Sequence, residues 1–295
     1  MSTVHSNLRR TRAKRFLKQL LKNPSALVGL IIVISVITLS LAGPAIATYD
    51  PTENHMTDRF EGPSFVDADS QYLLGTDNYG RDLFSRVLLG GRSSLLIGLS
   101  SAGLGLLLGV PIGLLTGYAG GRVDEVIMRL MDALMSIPSL LLALLILTTL
   151  SSSIWNAIIA VGMAYFPRIA RVVRSSTISV KNEEYVQAAE ARGESSLRIM
   201  FEEILPNVAS PIVVEGTIRV GFAILVGSSL SFLGLGAQPP TPDWGYMVNI
   251  ARTYTFNSPW FLLWPSVAIA ITVTGFNLLG DGLRDILDPQ TGDDV

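Results

Sequence analysis

Long apolar runs separated by polar segments are the dominant pattern along this chain. The first run covers 26–47 and directly follows a basic segment. The later runs cover 95–118, 133–150, 154–173, 208–235 and 261–279. An α-helix needs roughly 20 apolar residues to cross a bilayer, and these runs approach or exceed that length. The pattern therefore predicts an all-α membrane protein with six transmembrane helices.

The N-terminal segment carries seven basic residues and no acidic residue before the first run. Cationic residues beside a span favour the cytoplasmic side. A nucleic-acid-binding arm is disfavoured because the apolar run follows at once. A cleaved secretory signal is the other alternative, since Ala45 and Ala47 resemble a cleavage site, but the run is longer than a signal usually has. We expect a cytoplasmic N-terminus over 1–24 and a retained first transmembrane helix over 25–47.

The polar, acidic region 48–92 is expected to be an extracytoplasmic loop, and docking of a binding protein there is left open. Gly75, Gly80 and the glycine pair at 90–91 predict tight turns near its end. A short amphipathic face is expected at Leu83, Val87 and Leu88. The end of this region is therefore predicted to be ordered and to lead directly into the second span.

Glycines recur through the second span at spacings close to one helical turn. They are Gly98, Gly103, Gly105, Gly109, Gly113 and Gly117. Small residues let helices approach closely in lipid, where apolar burial gives little driving force. We therefore expect tight helix packing along this span.

The polar segment 180–207 predicts two short helices separated by a glycine. The first has a face formed by Tyr185, Ala188, Ala189 and Arg192. Gly193 suits a sharp turn, and Ser195 suits the N-cap of the second helix. The second helix has a face formed by Leu197, Met200, Phe201 and Ile204. Pro206 is expected to end it, because the residue before a proline disfavours α geometry.

Two charged residues fall inside the fifth apolar run, Glu215 and Arg219. Their i, i+4 spacing allows them to meet on one helix face. Ionisable residues inside a membrane usually face a bundle interior or a cavity. They are candidates for the transport pathway or for a subunit contact, and a self-neutralising pair near the cytoplasmic interface is an equal alternative.

Prolines and tryptophans mark the region between the fifth and sixth spans. Pro239, Pro240 and Pro242 exclude helix there. The tryptophans suit an aromatic belt at the membrane interface. They are Trp244, Trp260 and Trp264.

The distribution of basic residues gives an orientation. With six spans and the N-terminus inside, 16 basic residues fall in cytoplasmic segments and five in external ones. This asymmetry supports an N-in/C-in topology and places 180–207 in the cytoplasm. The expected organisation is then a transmembrane domain over 93–282 and a cytoplasmic tail over 283–295.

Composition narrows the class of protein further. The chain is 49% hydrophobic and only 16% charged, with a mean hydropathy of +0.45, whereas soluble domains carry about 25% charged residues. It has no cysteine and two histidines, both outside the apolar runs, so a metal centre is not expected. No phosphate-binding loop is present, and no lysine follows a glycine. We therefore expect that the chain is not an enzyme and that energy comes from a partner.

Four stretches of the sequence resemble parts of the permeases of ABC importers. Ala188, Ala189, Gly193, Leu205 and Pro206 resemble the "EAA" loop of these permeases. Gln187 departs from the usual glutamate, and Glu203 stands where isoleucine is usual. The stretch Gly-Thr-Asp-x-x-Gly-Arg-Asp at 75–82 resembles a signature of dipeptide/oligopeptide permease C subunits, as do the stretches 229–245 and 276–289.

The resemblance implies a type I ABC-importer permease in the inner membrane of a bacterium or archaeon. Its implied partners are a second homologous permease, two ATPase subunits that bind ATP and Mg²⁺, a solute-binding protein and the lipid bilayer, with no nucleic acid and no cofactor on this chain. The implied solute is a peptide, with nickel and glutathione as alternatives. The residues implied to couple to the ATPase are Gln187, Ala188, Ala189, Glu190, Arg192, Gly193, Leu205 and Pro206.

Two other classes of function remain open on the sequence. A secondary transporter would use Glu215 as a proton or ion carrier, but the inverted repeats typical of that class are not evident. A membrane-embedded enzyme is disfavoured because no nucleophile–base or metal constellation is available.

Overall fold

The computed structural model describes residues 18–287, which fold almost entirely as helix. The α-helices, numbered along the chain, are α1 Pro24–Ile46, α2 Leu83–Ala119, α3 Gly121–Met135, α4 Ser139–Leu147, α5 Ile154–Lys181, α6 Glu184–Ala191, α7 Ser196–Arg198, α8 Leu205–Asn207, α9 Ala209–Phe232, α10 Trp244–Ala251 and α11 Pro259–Leu287. A π-helical stretch, Ile199–Ile204, joins α7 to α8. Most of the basic N-terminal segment and the end of the tail, 1–17 and 288–295, lie outside the described residues.

Five helices in the described part are long and apolar enough to cross a membrane, namely α1, α2, α5, α9 and α11. A sixth candidate span is the pair α3 and α4, which meet at an angle of 89°. The total agrees with the six spans predicted from hydropathy.

The predicted third span over 133–150 is not a single helix. Its first residues belong to the amphipathic helix α3, which begins at Gly121, and the chain bends sharply before α4 begins. Pro138 causes the break, since it has no N–H for a helical hydrogen bond and disfavours α geometry at Ile137. Pro138 itself has ψ of 135°.

Helix α2 begins at Leu83, well before the predicted second span, so the end of region 48–92 is helical. The glycines at 90–91, which were expected to form turns, lie inside this helix. A Cβ atom on Gly90 would lie 3.0 Å from the Trp244 ring, and one on Gly91 would lie 2.2 Å from Ser40 Oγ. These glycines serve close packing between distant parts of the chain rather than turns.

Helices α2 and α5 form the most extensive pairing in the bundle. A Cβ atom on Gly109 would come within 2.8 Å of Ile169 Cβ, and one on Gly113 within 2.6 Å of the Ala170 carbonyl oxygen. The predicted close approach is thus confirmed. Gly103 is the exception, because its Cβ position has no atom within 4 Å.

The lead-in to α2 is ordered by the turn at 75–82. Gly75 and Gly80 adopt φ of 85° and 73°, values that side chains strongly disfavour. Asp82 then caps α2, where its carboxylate accepts hydrogen bonds from the Phe84 and Ser85 backbone N–H groups. The tight turns predicted at these two glycines are confirmed.

Trp244 does not belong to the predicted aromatic belt. Its side chain is 3% exposed, and its indole Nε1 donates to the Val87 carbonyl oxygen at 2.8 Å. Trp260 and Trp264 are partly exposed and stack at 6.1 Å. The segment 233–243 before Trp244 is not helical, as its prolines predicted.

Candidate functional site

The segment 180–207, which we call the foot, turns at Gly193 as predicted. Gly193 has φ of 76°, and the Glu194 N–H donates to the Ala189 carbonyl oxygen at 3.2 Å. The Gly193 N–H donates to the Glu190 carbonyl oxygen at 2.9 Å. These two bonds make a Schellman cap, which satisfies carbonyl groups at the end of α6. The turn is therefore held by the backbone and not by side-chain contacts.

The second half of the foot begins where the sequence predicts and ends differently. The Ser195 side chain accepts a hydrogen bond from the Arg198 N–H, so Ser195 is the N-cap. Leu205, the residue before Pro206, keeps α geometry with φ −55° and ψ −42°. Pro206 therefore does not end the helix, which continues to Asn207.

A π-helical stretch explains how the helix passes Pro206. The Leu205 N–H bonds to the Met200 carbonyl oxygen, five residues back. A proline ring normally collides with the carbonyl four residues before it and leaves that oxygen without a donor. The wider π turn makes room at that point, and such turns are often found at functional sites.

One face of the foot packs into the bundle. Val186 and Ala189 of α6 are fully buried, and Ile199, Met200 and Ile204 join them. This set contacts Leu114 of α2 and both Ile169 and Val173 of α5. The foot is thus fixed to the closest helix pair of the bundle.

The two alanines that were predicted to share one face of α6 have different environments. Ala188 is exposed whereas Ala189 is buried, because successive residues of a helix point about 100° apart. Val186 was missed by the sequence analysis, although its i, i+3 spacing to Ala189 signals the buried face.

The opposite face of the foot exposes large apolar side chains. Leu197 is 66% exposed and Phe201, one helical turn later, is 54% exposed, while Tyr185 is 39% exposed. Leu197 and Phe201 were predicted to share one face with Met200 and Ile204, but the latter two are buried. The exposed pair is available to a partner.

Ion pairs surround this exposed face. Arg192 donates to Glu194 at 2.7 Å, and Arg198 donates to Glu202 at 2.8 Å. The Glu202 carboxylate raises the pKa of Arg198. Glu194 and Glu202 were not predicted as site residues, although both lie four residues from Arg198.

The remaining predicted coupling residues lie at the solvent-facing surface of the foot or at its join to α9. The Gln187 Nε2 donates to the Asn182 carbonyl oxygen at 3.1 Å, so this side chain folds back on the foot. Glu190 and Pro206 are exposed, and Leu205 is half-buried against the foot's core.

Cationic side chains of α5 connect this helix to α2 and α3 near the foot. Lys181 donates to the Tyr118 carbonyl oxygen at 2.6 Å, at the end of α2. Arg174 makes a two-pronged ion pair with Asp124 of α3, and Arg171 pairs with Asp132. These arginines thus fasten α3 to α5.

Glu215 and Arg219 meet as predicted, in the half of α9 that lies nearer the foot. Arg219 Nε donates to Glu215 Oε1 at 2.6 Å, and both side chains are nearly nine-tenths buried. The Arg219 guanidinium lies 5.8 Å from the centre of the Tyr165 ring. The pair is therefore neutralised within the chain, and a role in the pathway or a subunit contact stays a prediction.

The sequence matches known families over most of its length. Residues 109–293 match the family described as "binding-protein-dependent transport system inner membrane component". Residues 11–63 match the "N-terminal TM domain of oligopeptide transport permease C".

Relatives at about 40% identity extend across almost the whole chain. The dipeptide transport system permease protein DppC of Alkalihalophilus pseudofirmus is 42% identical, over 92% of this chain and 88% of that protein. The glutathione transport system permease protein GsiD of Pectobacterium atrosepticum is 41% identical, over 95% of this chain and 92% of that protein.

The fold also has a solved counterpart. A chain from the MetNI methionine ABC transporter in inward-facing conformations aligns with a TM-score of 0.56 and 19% identity, over 68% of this chain and 95% of that one. The predicted type I ABC-importer permease fold is thereby confirmed. With its six candidate spans and these matches, the chain belongs to the family of binding-protein-dependent transport system inner membrane components and is a multi-pass protein of the inner membrane.

Proposed function

We propose that this chain is a permease subunit of an ATP-driven importer and that the foot couples it to a separate ATPase subunit. The exposed pair Leu197 and Phe201 carries the proposal. Large apolar side chains on a polar, ion-paired surface mark an interaction site when they lie together. A pocket on the ATPase that buries Phe201 would gain much of its binding energy from that one ring.

The packing of the foot supports a lever mechanism. Its inner face is buried against α2 and α5, and its turn at Gly193 is held by backbone bonds. Motion of the ATPase would thus be passed to the α2–α5 pair, whose glycine contacts leave little room for sliding. ATP and Mg²⁺ belong to the partner ATPases in this mechanism, and this chain supplies the moving helices.

The names of the relatives support the proposal for the solute and its delivery. Relatives named as dipeptide and glutathione permeases favour a peptide-like solute, delivered by an extracytoplasmic binding protein. A second, homologous permease would complete the translocation path. The foot then faces the cytoplasm, in agreement with the N-in/C-in orientation predicted from basic residues.

The experiment that tests this proposal is purification of the complex from native membranes in mild detergent. We expect the wild-type chain to bring down a second permease and two ATPases. With Phe201→Glu, the amount of ATPase recovered should fall at least about tenfold, because a carboxylate would be buried without a partner. The second permease should still be recovered. Phe201→Leu, which keeps an apolar side chain, is the matched control. Retention of the ATPases by Phe201→Glu would refute the role of the foot.

A further inference from the structure

A polar cavity of about 390 Å³ lies at the end of the bundle opposite the foot. It is formed by the turn 78–81 before α2 and by the segment 239–254 that includes α10. Helix α2 runs from Leu83 at this end to Tyr118 at the foot, a distance of roughly 50 Å at the rise of an α-helix. In the proposed orientation the cavity opens on the extracytoplasmic side.

The side chains that line the cavity carry an excess of positive charge. Arg81 and Arg86 line it, and no residue that lines it in the described part of the chain is acidic. Behind them lies Asp77, which is fully buried, with Arg81 Nε at 2.6 Å and Arg86 Nε at 3.5 Å. Two guanidinium groups therefore share one carboxylate, and the cluster carries a net positive charge.

Burial makes this excess charge costly. Arg86 is 2% exposed and Arg81 is 8% exposed, so water screens their charge poorly. A buried cation without a counter-ion is destabilising unless a partner completes the pair. An anion in the cavity would provide that second negative charge.

The rest of the lining suits an anion that has a small organic body. Tyrosine hydroxyls, amides and a threonine hydroxyl supply hydrogen bonds, and the rings supply apolar surface. They belong to Asn78, Tyr79, Thr241, Tyr246, Asn249 and Tyr254. The Tyr79 ring lies 4.8 Å from the Arg81 guanidinium and covers it from one side.

We propose that this cavity binds a carboxylate group. Guanidinium groups bind carboxylates through paired, charge-assisted hydrogen bonds. Two sources present that group on the extracytoplasmic side of an importer: the C-terminal carboxylate of a peptide solute and an acidic side chain of the binding protein. The existence of the site does not depend on the coupling role of the foot, whereas the choice between these two sources rests on the proposed importer function.

A matched pair of variants at Thr253 tests the proposal without disturbing the buried ion cluster. Thr253 is exposed at the cavity and lies in the short 3₁₀ turn Arg252–Tyr254. Thr253→Glu adds a negative charge, and Thr253→Gln adds the same bulk without charge. Each is prepared as the full complex in nanodiscs, and its subunit composition is checked before binding is measured.

Equilibrium dialysis with labelled alanyl-alanine and with its C-terminal amide is the first arm of the test. We expect the wild-type and Thr253→Gln complexes to bind the free dipeptide at least about tenfold more tightly than the amide. The Thr253→Glu complex should lose this preference.

Affinity of the purified binding protein for the same complexes is the second arm. If the carboxylate belongs to the binding protein, Thr253→Glu weakens its docking about tenfold relative to Thr253→Gln, and no complex prefers the dipeptide over its amide. If neither the dipeptide preference nor the docking affinity differs between the two variants, the cavity is not a carboxylate site. Because all complexes retain their ATPases, this result would leave the role of the foot untouched.

Discussion

Gly193 sets the direction of the foot, since its φ of 76° is open to few other residues. A β-branched residue in that conformation costs about 1–3 kcal/mol. No atom lies within 4 Å of its Cβ position, so the strain is in the backbone and not in packing. The consequence of a substitution should therefore appear in coupling before it appears in folding.

We expect Gly193→Val to uncouple ATP hydrolysis from uptake while the complex still assembles. The Schellman cap would break, and the second half of the foot would no longer follow α6 as a rigid unit. Uptake in proteoliposomes should fall at least about tenfold, with ATP hydrolysis maintained. Gly193→Asn is the control, because asparagine tolerates positive φ and should keep most uptake. Unchanged uptake in Gly193→Val would sink the lever mechanism.

We expect Asp243 to make the stability of the chain depend on pH. Burial raises the pKa of its carboxyl group, and a hydrogen bond from the Tyr246 N–H only partly offsets this. The folded chain therefore holds the proton more tightly than the unfolded chain does. This contribution to stability is complete below the unfolded pKa of 3.8 and is lost as the pH rises through the folded value.

Asp243→Asn should remove that pH dependence while keeping the cap of α10, since asparagine is also a good N-cap. Thermal unfolding of both proteins in detergent, followed from pH 3.5 upward, measures the difference. The unfolding temperature of the variant, relative to that of the wild type, should increase as the pH rises above about 4. Parallel profiles would show that Asp243 does not titrate in this range.

Helices α2 and α5 move as one unit in this account, so their contact has to be tight. Gly109→Ala would force a methyl group to within 2.8 Å of both Ile169 Cβ and the Phe166 carbonyl oxygen. We expect a loss of about 1–3 kcal/mol in the free energy of unfolding. Gly103→Ala adds the same methyl group to the same helix where nothing lies within 4 Å. Its thermal stability in detergent should equal or exceed that of the wild type, and equal losses in both variants would disprove the packing argument.

The number of spans was predictable from sequence, but the ends of several helices were not. Hydropathy reports contact with lipid, whereas α2, α5 and α11 continue as helix into the polar ends of their runs. The bend between α3 and α4 was likewise missed, although Pro138 was visible in the sequence. The effect of this proline could be predicted only if α3 was recognised as a helix, and the polar face of α3 did not suggest a membrane helix.

The sequence predicted the local backbone structure of the foot better than it predicted which of its side chains are buried. Gly193 and Ser195 act through their own backbone neighbours, so their roles follow from residue type. The burial of Ala189 and the exposure of Phe201 depend on where α2 and α5 lie. The prediction that Trp244 lies in an aromatic belt was wrong for the same reason, because its packing partner Gly90 is distant in sequence.

In the molecule as a whole, α2 spans the bundle between the two proposed sites. The foot packs against its end near Leu114, and the polar cavity adjoins its beginning near Arg86. One continuous helix thus joins the proposed ATPase site to the proposed extracytoplasmic site. This arrangement would give the two proposed sites a direct mechanical connection.

Site-directed cross-linking from the foot tests the central claim most directly. The chain has no cysteine, so Ala188→Cys introduces a single reactive thiol into it at an exposed position of the foot and leaves Phe201 in place. In membranes that contain the full complex, a short maleimide photo-cross-linker at this position should capture an ATPase subunit. The same reagent on Thr253→Cys, at the other end of the bundle, should not. Capture of the ATPase from position 188 alone is the result that the account predicts, and absence of the ATPase from the Ala188→Cys products would contradict it.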